Sequence, residues 1–319
     1  MKTLLITGAE GFTGWRLTQH LEQRGYDVIG GVRNRARKLA FERRHGKALV
    51  CDVSDAINVA RVVASAKPDG IIHLAGQSRP YAAADEPLTA YQSIVSAWAN
   101  VLDAARRIVP RCHVVLASAC DVYGDTANSG QQLKETDATN PTTTFGALKS
   151  AAEQIAGTFF NNYHLNITIA RPFHYTGPNQ SDAFFLGNVA RMLATWDISE
   201  QGTNMQLPDL DCERDMLHVQ DVVEAYTRLL EDGKPNEIYN ICSGKTVRVG
   251  EMVRHLVRLS GKPLTVSELS TSEENQVKKL WGDNNKLRSE LGWSPTRTVE
   301  QALLDLYKGH QAEAAPTHR

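Results

Sequence analysis

The sequence has 319 residues, of which 42% are hydrophobic and 22% charged, and its formal net charge at pH 7 is −1. A charge so close to zero argues against a protein that binds nucleic acid or a membrane surface, because both attract strongly basic chains. The length allows one large α/β unit or two smaller domains with a sizeable buried core.

Signals for a membrane or secreted protein are weak. No apolar run approaches the ~20 residues of a membrane-spanning helix, and the short apolar run in MKTLLITGAEGF does not suit a signal peptide. The five cysteines include no pair at a metal-ligand spacing: Cys51, Cys112, Cys120, Cys212 and Cys242. We therefore expect reduced thiols in a cytoplasmic protein, with no metal site and no membrane partner.

In its first half the sequence alternates β-rich segments with helical stretches. The predicted strands cover residues 3–7, 27–32, 48–53, 70–75, 113–118 and 165–170. The predicted helices cover residues 12–24, 55–66, 88–108 and 142–162. Nearly continuous apolar strands between amphipathic helices are typical of a parallel sheet covered on both faces. Right-handed connections make this an α/β fold with a doubly wound sheet.

The second half is less regular. Residues 176–215 are rich in Gly, Pro, Asn and Asp, and we predict loops with one helix at 184–195. Further elements are predicted beyond them: helices at 219–231, 249–260 and 298–308, and a strand at 237–242 that returns to the sheet.

Three glycines, Gly8, Gly11 and Gly14, lie between the first predicted strand and the first predicted helix. In that position Gly8 permits a tight turn, Gly11 lets the backbone approach a diphosphate, and Gly14 lets the helix pack on the strand. The helix N-terminus then offers amides and a partial positive charge to the anion. The alternative is a turn that needs glycine for its shape alone.

The segment after the second strand, GGVRNRARK, bears on the choice of cofactor. An NAD-specific site usually has a carboxylate there for the ribose 2′-hydroxyl. This segment instead has a run of bases with no acid before Glu42: Arg33, Arg35, Arg37 and Lys38. Because a guanidinium group can bind a 2′-phosphate through two hydrogen bonds, the pattern favours NADP(H). A solvated basic loop is the alternative.

The stretch NPTTTFGALKSAAEQIAG, residues 140–157, raises a question about catalysis. Phe145 and Lys149 are four residues apart, and on a helix that spacing places both side chains on one face. A tyrosine at position 145 would form an acid–base pair with the lysine, whose charge would lower the phenol pKa from about 10. Phenylalanine has no proton to give.

With these motifs in order, the chain resembles the extended short-chain dehydrogenase/reductase family, and most closely its GDP-mannose 4,6-dehydratases and GDP-6-deoxy-4-hexulose reductases. The resemblance rests on TGAEGFTG, CDVSD, KPDGIIHLAGQS, ACDVYG, RPFHYTGP, RDMLHVQDVVEAY, YNICSG and GDNNKLRSELGWSP. It implies a Rossmann-type domain that binds NAD(P), formed by residues 1–175 and 216–245. It also implies a small C-terminal α/β domain, residues 176–215 and 246–319, that closes on a nucleotide-sugar.

The resemblance also assigns residues to the cofactor, NADP with NAD as the alternative. Besides the three glycines, these are Phe12, Thr13, Arg33, Arg35, Asp52, Val53, Leu74, Ala75, Gly76, Ala117, Lys149, Pro172 and Phe173. Asp52 and Val53 correspond to contacts with adenine, and Lys149 corresponds to a contact with the nicotinamide ribose.

At the catalytic positions the sequence departs from the family pattern. The Tyr-x-x-x-Lys motif is represented by Phe145 and Lys149, and the Ser or Thr that hydrogen-bonds the reacting hydroxyl is replaced by Ala119. Ser118 lies one residue earlier, on the opposite face of an extended strand, so we do not expect it to substitute. The family's structural asparagine corresponds to Ile94.

Two further positions belong to dehydratase chemistry. The acid that protonates the departing hydroxyl corresponds to Cys120, and the glutamate that removes the C5 proton corresponds to Asp121, which is one methylene shorter. Because general acid–base help typically contributes ~10²–10⁴-fold in rate, the conventional redox chemistry of the family is expected here only if another group takes over the proton transfer. The other polar candidates in the neighbouring motifs are His174, Tyr123 and Tyr175.

Two of these candidates have ordinary structural alternatives. His174 has an unperturbed pKa near ~6.5 that suits proton transfer, yet it can equally be a hydrogen-bonded loop histidine. Cys120 can be a small buried hydrophobe, and the charge of its neighbour Asp121 opposes a thiolate.

The substrate positions are also altered. Arg214 corresponds to the family's arginine at the nucleotide diphosphate, and His218 to the dehydratase motif RDxxHxxD. The predicted substrate-binding residues are His174, Asn188 and Arg214, for a nucleotide-sugar that is GDP-linked in the nearest branch. A second diphosphate arginine of the family is replaced by Glu273, whose charge repels a diphosphate unless Lys278 or Lys279 compensates.

Three interpretations follow. The chain is an NAD(P)-dependent enzyme of nucleotide-sugars with altered catalytic residues, or a catalytically inactive protein that binds cofactor and nucleotide-sugar, or an inactivated variant. Ile94 and Glu273 argue against the last, because a trapped variant would keep the rest of its site intact.

A homodimer or homotetramer is also expected, because family members pack two helices of each subunit into a four-helix bundle. Those helices correspond to residues 88–108 and 142–162. Their apolar residues are Ile94, Trp98, Val101, Leu102, Leu148, Ala152, Ile155 and Phe159.

Overall fold

The computed structural model of the protein describes residues 2–269 and 277–314. The strands, in chain order, are β1 (Thr3–Thr7), β2 (Asp27–Val32), β3 (Ala48–Val50), β4 (Gly70–His73), β5 (His113–Ala117), β6 (Ile167–Pro172), β7 (His174–Thr176), β8 (Asn204–Leu207), β9 (Glu213–His218), β10 (Glu237–Ile241), β11 (Thr246–Arg248), β12 (Thr265–Glu268) and β13 (Lys279–Leu280).

The α-helices are α1 (Phe12–Gln23), α2 (Arg35–Glu42), α3 (Ala56–Ala66), α4 (Pro80–Asp85), α5 (Pro87–Tyr91), α6 (Ala97–Ile108), α7 (Thr144–Tyr163), α8 (Phe185–Thr195), α9 (Ile198–Gln201), α10 (Val219–Asp232), α11 (Val249–Ser260), α12 (Asn285–Leu291) and α13 (Val299–Ala314). A π-helical turn, Gln92–Ser96, joins α5 to α6, and 3-10 turns cover Cys120–Val122 and Gly124–Ser129. Among the described residues, no helix is both long enough and apolar enough to cross a membrane.

A seven-stranded parallel sheet forms the centre of the fold, in the order β10-β6-β5-β4-β1-β2-β3. Strand β1 pairs with β2 on one side and β4 on the other. The chain therefore winds outwards in both directions from β1, and ligands of such sheets bind beyond the carboxyl ends of the strands at this switch point. The prediction of a doubly wound α/β fold is confirmed.

The two faces of the sheet carry separate apolar cores. On one face α3, α6 and α7 pack against strand residues such as Leu5, Ile71 and Leu116. On the other face α1, α10 and α12 pack against residues such as Ile6 and Val115. Helix α12 and the following Trp293 thus pack with the large sheet, although the predicted domain boundary assigns them to the C-terminal unit.

A third apolar core lies among α8, α11 and α13. It is accompanied by two small sheets: β9 pairs with β7, β11 and β13, and β8 pairs with β12. The sequence pattern predicts loops where β8, β9, β12 and β13 form. The reason is their shortness, two to six residues each, which leaves little room for an alternation of apolar and polar side chains.

Two predicted elements of the first half need correction. The basic segment that reads as a loop is the first turn of α2, where Asn34 caps the helix by accepting a hydrogen bond from the amide of Arg37 at 2.9 Å. The long predicted helix at 88–108 is interrupted by the π-helical turn that contains Ile94.

The apolar side chains predicted to pack between subunits are mostly buried within the chain itself. Five of them are at most 1% exposed, because they face the large sheet: Ile94, Trp98, Val101, Leu102 and Ala152. Leu148, Ile155 and Phe159 are half-buried and remain available at the surface of α7.

Candidate active site

The predicted cofactor residues lie at one edge of the large sheet. Thr7 ends β1, Val32 ends β2, Val50 ends β3, His73 ends β4 and Ala117 ends β5. The glycine loop, Arg33, Asp52–Val53, Leu74–Gly76, Ala117 and Pro172–Phe173 follow or occupy these carboxyl ends. Parallel strands bring their carboxyl ends together, so these residues lie at the same edge of the sheet, around the switch point at β1.

The glycine loop has the geometry that a diphosphate requires. Gly8 has φ +71°, and its amide and that of Ala9 donate to the carbonyl of Gly31. A Cβ atom on Gly14 would lie 2.2 Å from the carbonyl oxygen of Gly8, so only glycine lets α1 approach β1 this closely. Gly11 precedes α1 with no side chain over the helix N-terminus, and a dinucleotide diphosphate fits this cradle.

The side chains of Phe12 and Thr13, which follow the glycine loop, contact the protein, and their backbone amides stay available to a ligand. The hydroxyl of Thr13 hydrogen-bonds the hydroxyl of Tyr175 at 2.9 Å, and the ring of Phe12 stacks on that of Tyr175 with centroids 6.1 Å apart. The backbone of Phe12 and Thr13 therefore remains for an anion while their side chains pack against β7. Phe173 is likewise only 2% exposed, so its side chain belongs to the core beneath the site.

Helix α7 carries the catalytic end of the site. Thr143 caps it by accepting a hydrogen bond from the amide of Gly146 at 3.1 Å. A Cβ atom on Gly146 would lie 2.4 Å from the carbonyl oxygen of Asp121, so the helix meets the turn after β5 backbone to backbone. This contact places Phe145 and Lys149, which are 5% and 7% exposed, beside that turn.

Lys149 is held in a largely apolar place. Its Nζ donates to the carbonyl of Ala117 at 2.6 Å and lies 5.6 Å from the ring centroid of Trp98 and 5.7 Å from that of Phe145. Burial lowers the pKa of Lys149 to about 8, against the opposing charges of Glu153 and Asp121. Trp98, which the sequence pattern assigns to a subunit interface, is thus a neighbour of the lysine.

Asp121 is the carboxylate nearest to this lysine in the motif. It lies in the 3-10 turn after Ala119, and burial raises its pKa against the opposing charges of Lys149 and Arg214. The thiol of Cys120 donates to its Oδ2 at 3.9 Å. Burial and the charge of Asp121 raise the pKa of Cys120 well above its usual value, so Cys120 is a neutral thiol and not a nucleophile.

The expectation that His174 has a pKa suited to proton transfer is wrong. Burial, together with the nearby charge of Arg214, lowers the pKa of His174 to about 3. The imidazole is therefore neutral at neutral pH. Its Nδ1 is buried and has no hydrogen-bond partner among the described residues, so it offers a polar contact to a ligand.

Both tyrosines named as substitute acids are already engaged. Tyr123 donates to Asn240 Oδ1 at 2.8 Å and accepts from Arg171 at 3.0 Å, while Arg171 forms a buried pair with Glu153. Tyr175 is bonded to Thr13, and burial raises its pKa. These phenols hold the fold together at their positions.

The motif RDMLHVQD contains one site residue, Arg214, and two structural ones, Asp215 and His218. Asp215 accepts hydrogen bonds from the amides of Ser243 and Gly244. His218, which matches the dehydratase motif, caps α10 through Nδ1 and reaches Asp305 of α13 with Nε2 at 3.2 Å, so both of its ring nitrogens are engaged within the fold. Arg214 is half-buried beside the cluster formed by Cys120, Asp121 and His174, the three groups whose pKa its charge lowers.

The remaining substrate positions are more scattered. Asn188 is half-buried on α8. Glu273 lies outside the described residues. Lys279 lies 4.5 Å from the ring centroid of Trp281, whose Nε1 is buried without a partner among the residues described. Trp281 was not singled out in the sequence, because a lone tryptophan before Gly-Asp carries no signal of its own.

Comparison with known proteins agrees with this geometry. The family model for GDP-mannose 4,6 dehydratase matches residues 5–306. The GDP-6-deoxy-D-mannose reductase of Pseudomonas aeruginosa is 30% identical over 237 residues, which span 74% of this chain and 78% of the relative.

Solved structures agree as well. RMD from Pseudomonas aeruginosa, complexed with NADPH, matches with a TM-score of 0.85 at 26% identity and covers 98% of this chain and 100% of that chain. The UDP-glucose 4-epimerase of Thermus thermophilus, complexed with NAD, has a TM-score of 0.84 at 22% identity, over 97% of this chain and 99% of that one. At 22% identity, the likeness to the Thermus epimerase shows the fold alone.

Proposed function

The chain belongs to the GDP-mannose 4,6-dehydratase family, and from that premise we propose that it is a nicotinamide-dependent enzyme that modifies a nucleotide-sugar, with Asp121 as its proton-transfer group. The observation that carries this proposal is the position of Asp121. It is a half-buried carboxyl group with a raised pKa, on which the charges of Lys149 and Arg214 both act, and it lies beside the helix that elsewhere in the family bears the tyrosine.

The reaction needs a group that moves a proton while a hydride moves at the adjoining carbon. Bound nicotinamide supplies the hydride acceptor or donor. A carboxyl group with a raised pKa can donate a proton to a carbonyl oxygen or take one from a hydroxyl, because its two forms are closer in free energy at neutral pH. Lys149 holds the carbonyl of Ala117 and favours the ionised form of Asp121 after transfer. Neutral His174 orients the sugar through Nδ1.

We infer NADP(H) as the preferred cofactor, with NAD as the alternative. The exposed guanidinium groups of Arg33 and Arg35 flank the carboxyl end of β2 and the start of α2, where the 2′-phosphate of a bound dinucleotide would lie. The relative from Pseudomonas aeruginosa that was solved with NADPH supports this choice.

The substrate class is inferred to be a nucleotide-sugar, with a GDP-linked sugar first in order. Arg214 supports a diphosphate: its Nη1 already donates to the carbonyls of Glu213 and Lys278, which leaves the rest of the guanidinium for a ligand. The names of the family model and of the Pseudomonas reductase support GDP as the nucleotide. The predicted contact of Asn188 remains a proposal.

A second candidate function is a protein that binds cofactor and nucleotide-sugar without turnover. The observation in its favour is the apolar pair Phe145 and Ala119, which are 5% and 8% exposed and leave the usual reacting hydroxyl without its customary partners.

The experiment that separates the two is a turnover assay with a panel of GDP-, UDP- and dTDP-linked sugars and each of NADP⁺, NADPH, NAD⁺ and NADH. We expect a change in nicotinamide absorbance, or a new sugar in the product, with at least one GDP-linked sugar. Tight cofactor binding with no turnover across the panel would favour the binding protein.

We also propose a homodimer or homotetramer in the cytoplasm. The half-buried residues of α7 and the exposed Leu88 and Tyr91 of α5, 80% and 49% exposed, provide an apolar surface on neighbouring helices. A monomer in light scattering at micromolar concentration would contradict this assembly. All five cysteines are buried and outside disulfide bonds, which supports a reducing compartment.

A further inference from the structure

The glycine loop carries a carboxylate, Glu10, that reaches the end of β2, where the following segment has no acid before Glu42. Glu10 lies between Gly8 and Gly11, and its Oε1 accepts a hydrogen bond from the amide of Arg33 at 2.8 Å. Arg33 is the first residue after β2. The side chain of Glu10 therefore crosses from the end of β1 to the end of β2.

The other oxygen of Glu10 is left over. Oε2 is buried and has no hydrogen-bond partner among the residues that the structure describes. The charge of Glu10 also acts on Cys51, which follows β3, and contributes to its raised pKa. Glu10 is therefore near the carboxyl end of β3 as well. A buried carboxylate oxygen without a donor is costly in a finished protein core, and it is ordinary in a ligand site that awaits a donor.

The place of this oxygen determines which donor it suits. In a doubly wound sheet the adenosine ribose of a dinucleotide lies at the carboxyl end of β2 beside the glycine loop, and a carboxylate there accepts hydrogen bonds from ribose hydroxyls. The same carboxylate repels a 2′-phosphate. The site thus has an acid on one side of the ribose and, on the other, Arg33 and Arg35.

We propose that Glu10 binds the adenosine ribose hydroxyls and limits the preference for NADP(H) that Arg33 and Arg35 create. This inference rests on the proposed function only in requiring that a nicotinamide dinucleotide binds. Cofactor selectivity is then the difference between two opposed charges, and the wild type accepts both cofactors with a modest preference for NADPH.

The test is the affinity of the full-length protein for NADPH and NADH, measured by fluorescence titration for wild type and Glu10→Gln. The amide oxygen of glutamine can still accept from the amide of Arg33, so the loop is expected to keep its shape. We expect the ratio of NADPH to NADH affinity to rise on the order of tenfold, because NADH loses a charged acceptor and NADPH loses a repulsive neighbour.

Glu42→Gln is the matched control. Glu42 Oε1 also accepts a backbone hydrogen bond, from Ala48 at 3.2 Å, but it lies at the far end of α2. Its substitution should leave the affinity ratio unchanged. Thermal unfolding of each variant shows whether the fold is intact.

The outcomes are distinct. An equal change of both affinities in Glu10→Gln, or no change, would overturn the inference while the proposed function stands. If the wild type binds neither cofactor, the proposed function fails and this inference with it. If Glu10→Gln unfolds, Glu10→Ser replaces it, and an unchanged ratio in that variant overturns the inference.

Discussion

The two ends of the same site differ in what they keep of the family pattern. At the cofactor end, the glycine loop retains each feature that a diphosphate needs, and these features belong to the backbone: a positive φ at Gly8 and a close approach at Gly14. At the catalytic end the scaffold is equally intact, but the reacting side chains at positions 119 and 145 are apolar. The comparison shows that a site can keep its geometry and change its chemistry.

The physical reason is the kind of contact at each end. In the glycine loop a new side chain meets the backbone at 2.2 Å, and the backbone cannot move away. On α7 the backbone contact is made by Gly146, and the neighbouring Phe145 is only a side chain against Lys149 and the turn after β5. Removing one hydroxyl there disturbs no backbone.

The largest effect is expected when the two missing hydroxyl groups are restored. Phe145→Tyr together with Ala119→Thr should raise the rate of hydride transfer with a nucleotide-sugar that the wild type binds, on the order of 10²-fold. The two groups act on one proton, so the gain should exceed the product of the single changes. Single-turnover rates of the four proteins measure this. A folded double variant that binds both ligands without any gain would show that the catalytic end is rebuilt beyond these positions.

The second prediction concerns a substitution in the glycine loop, at the cofactor end of the site. Gly14→Val should weaken NADPH binding by on the order of 100-fold, since overpacking against a backbone that cannot yield costs about 1–3 kcal/mol or more. Gly157→Ala on α7 is the control, because a Cβ atom there meets nothing within 4 Å. Titration of both variants measures the contrast. Retained affinity in Gly14→Val would mean that the loop does not hold the cofactor.

The third prediction concerns the burial of Lys149 and its effect on stability. Its pKa is about 8 when folded, against an ordinary 10.5, so between these values the unfolded chain binds a proton that the folded one does not. The contribution of Lys149 to stability should therefore rise as pH increases through that window and be lost as pH falls below about 8. Relative to Lys149→Met, the free energy of unfolding of the wild type should gain on the order of 3 kcal/mol. Denaturant unfolding at several pH values measures it, and a flat difference would mean a solvated lysine.

The smallest effect is expected on the ratio of NADPH to NADH affinity. Arg33→Ala should lower the ratio of NADPH to NADH affinity by about threefold to tenfold, because one charge-assisted contact to the 2′-phosphate is lost. Arg37→Ala, one turn into α2, is the control. If titration gives equal affinities for both cofactors in the wild type, the proposed preference for NADP(H) is wrong.

Much of the fold could be predicted from the sequence, because its main strands and its glycine loop are each recognisable from a short stretch of residues. The apolar runs of β1 and β6 and the glycine loop between strand and helix are complete within a few residues. The basic segment at Arg33 was harder: without an apolar face beyond the buried Phe41, α2 shows little periodicity. Within the described residues, the short strands β8 and β12 pair with each other alone, and partners 61 residues apart leave no local signal.

The site could be predicted as a set of positions but not as a set of protonation states. The low pKa of His174 arises from burial and from Arg214, which is 40 residues away in the sequence and adjacent in the fold. Tyr123 could not be excluded without its contacts to Arg171 and Asn240. Glu10 has no signal in the sequence, because the glycine motif leaves that position undefined.

The central claim is that Asp121 moves the proton in a site without the usual tyrosine. The most direct measurement is the single-turnover rate of Asp121→Asn with the nucleotide-sugar found to react, beside its affinity for NADPH. Asp125→Asn, an exposed acid in the next turn, is the matched control. We expect Asp121→Asn to lose about 10²–10⁴-fold in rate with its NADPH affinity unchanged, and the control to lose nothing. A wild-type rate in Asp121→Asn would contradict the account.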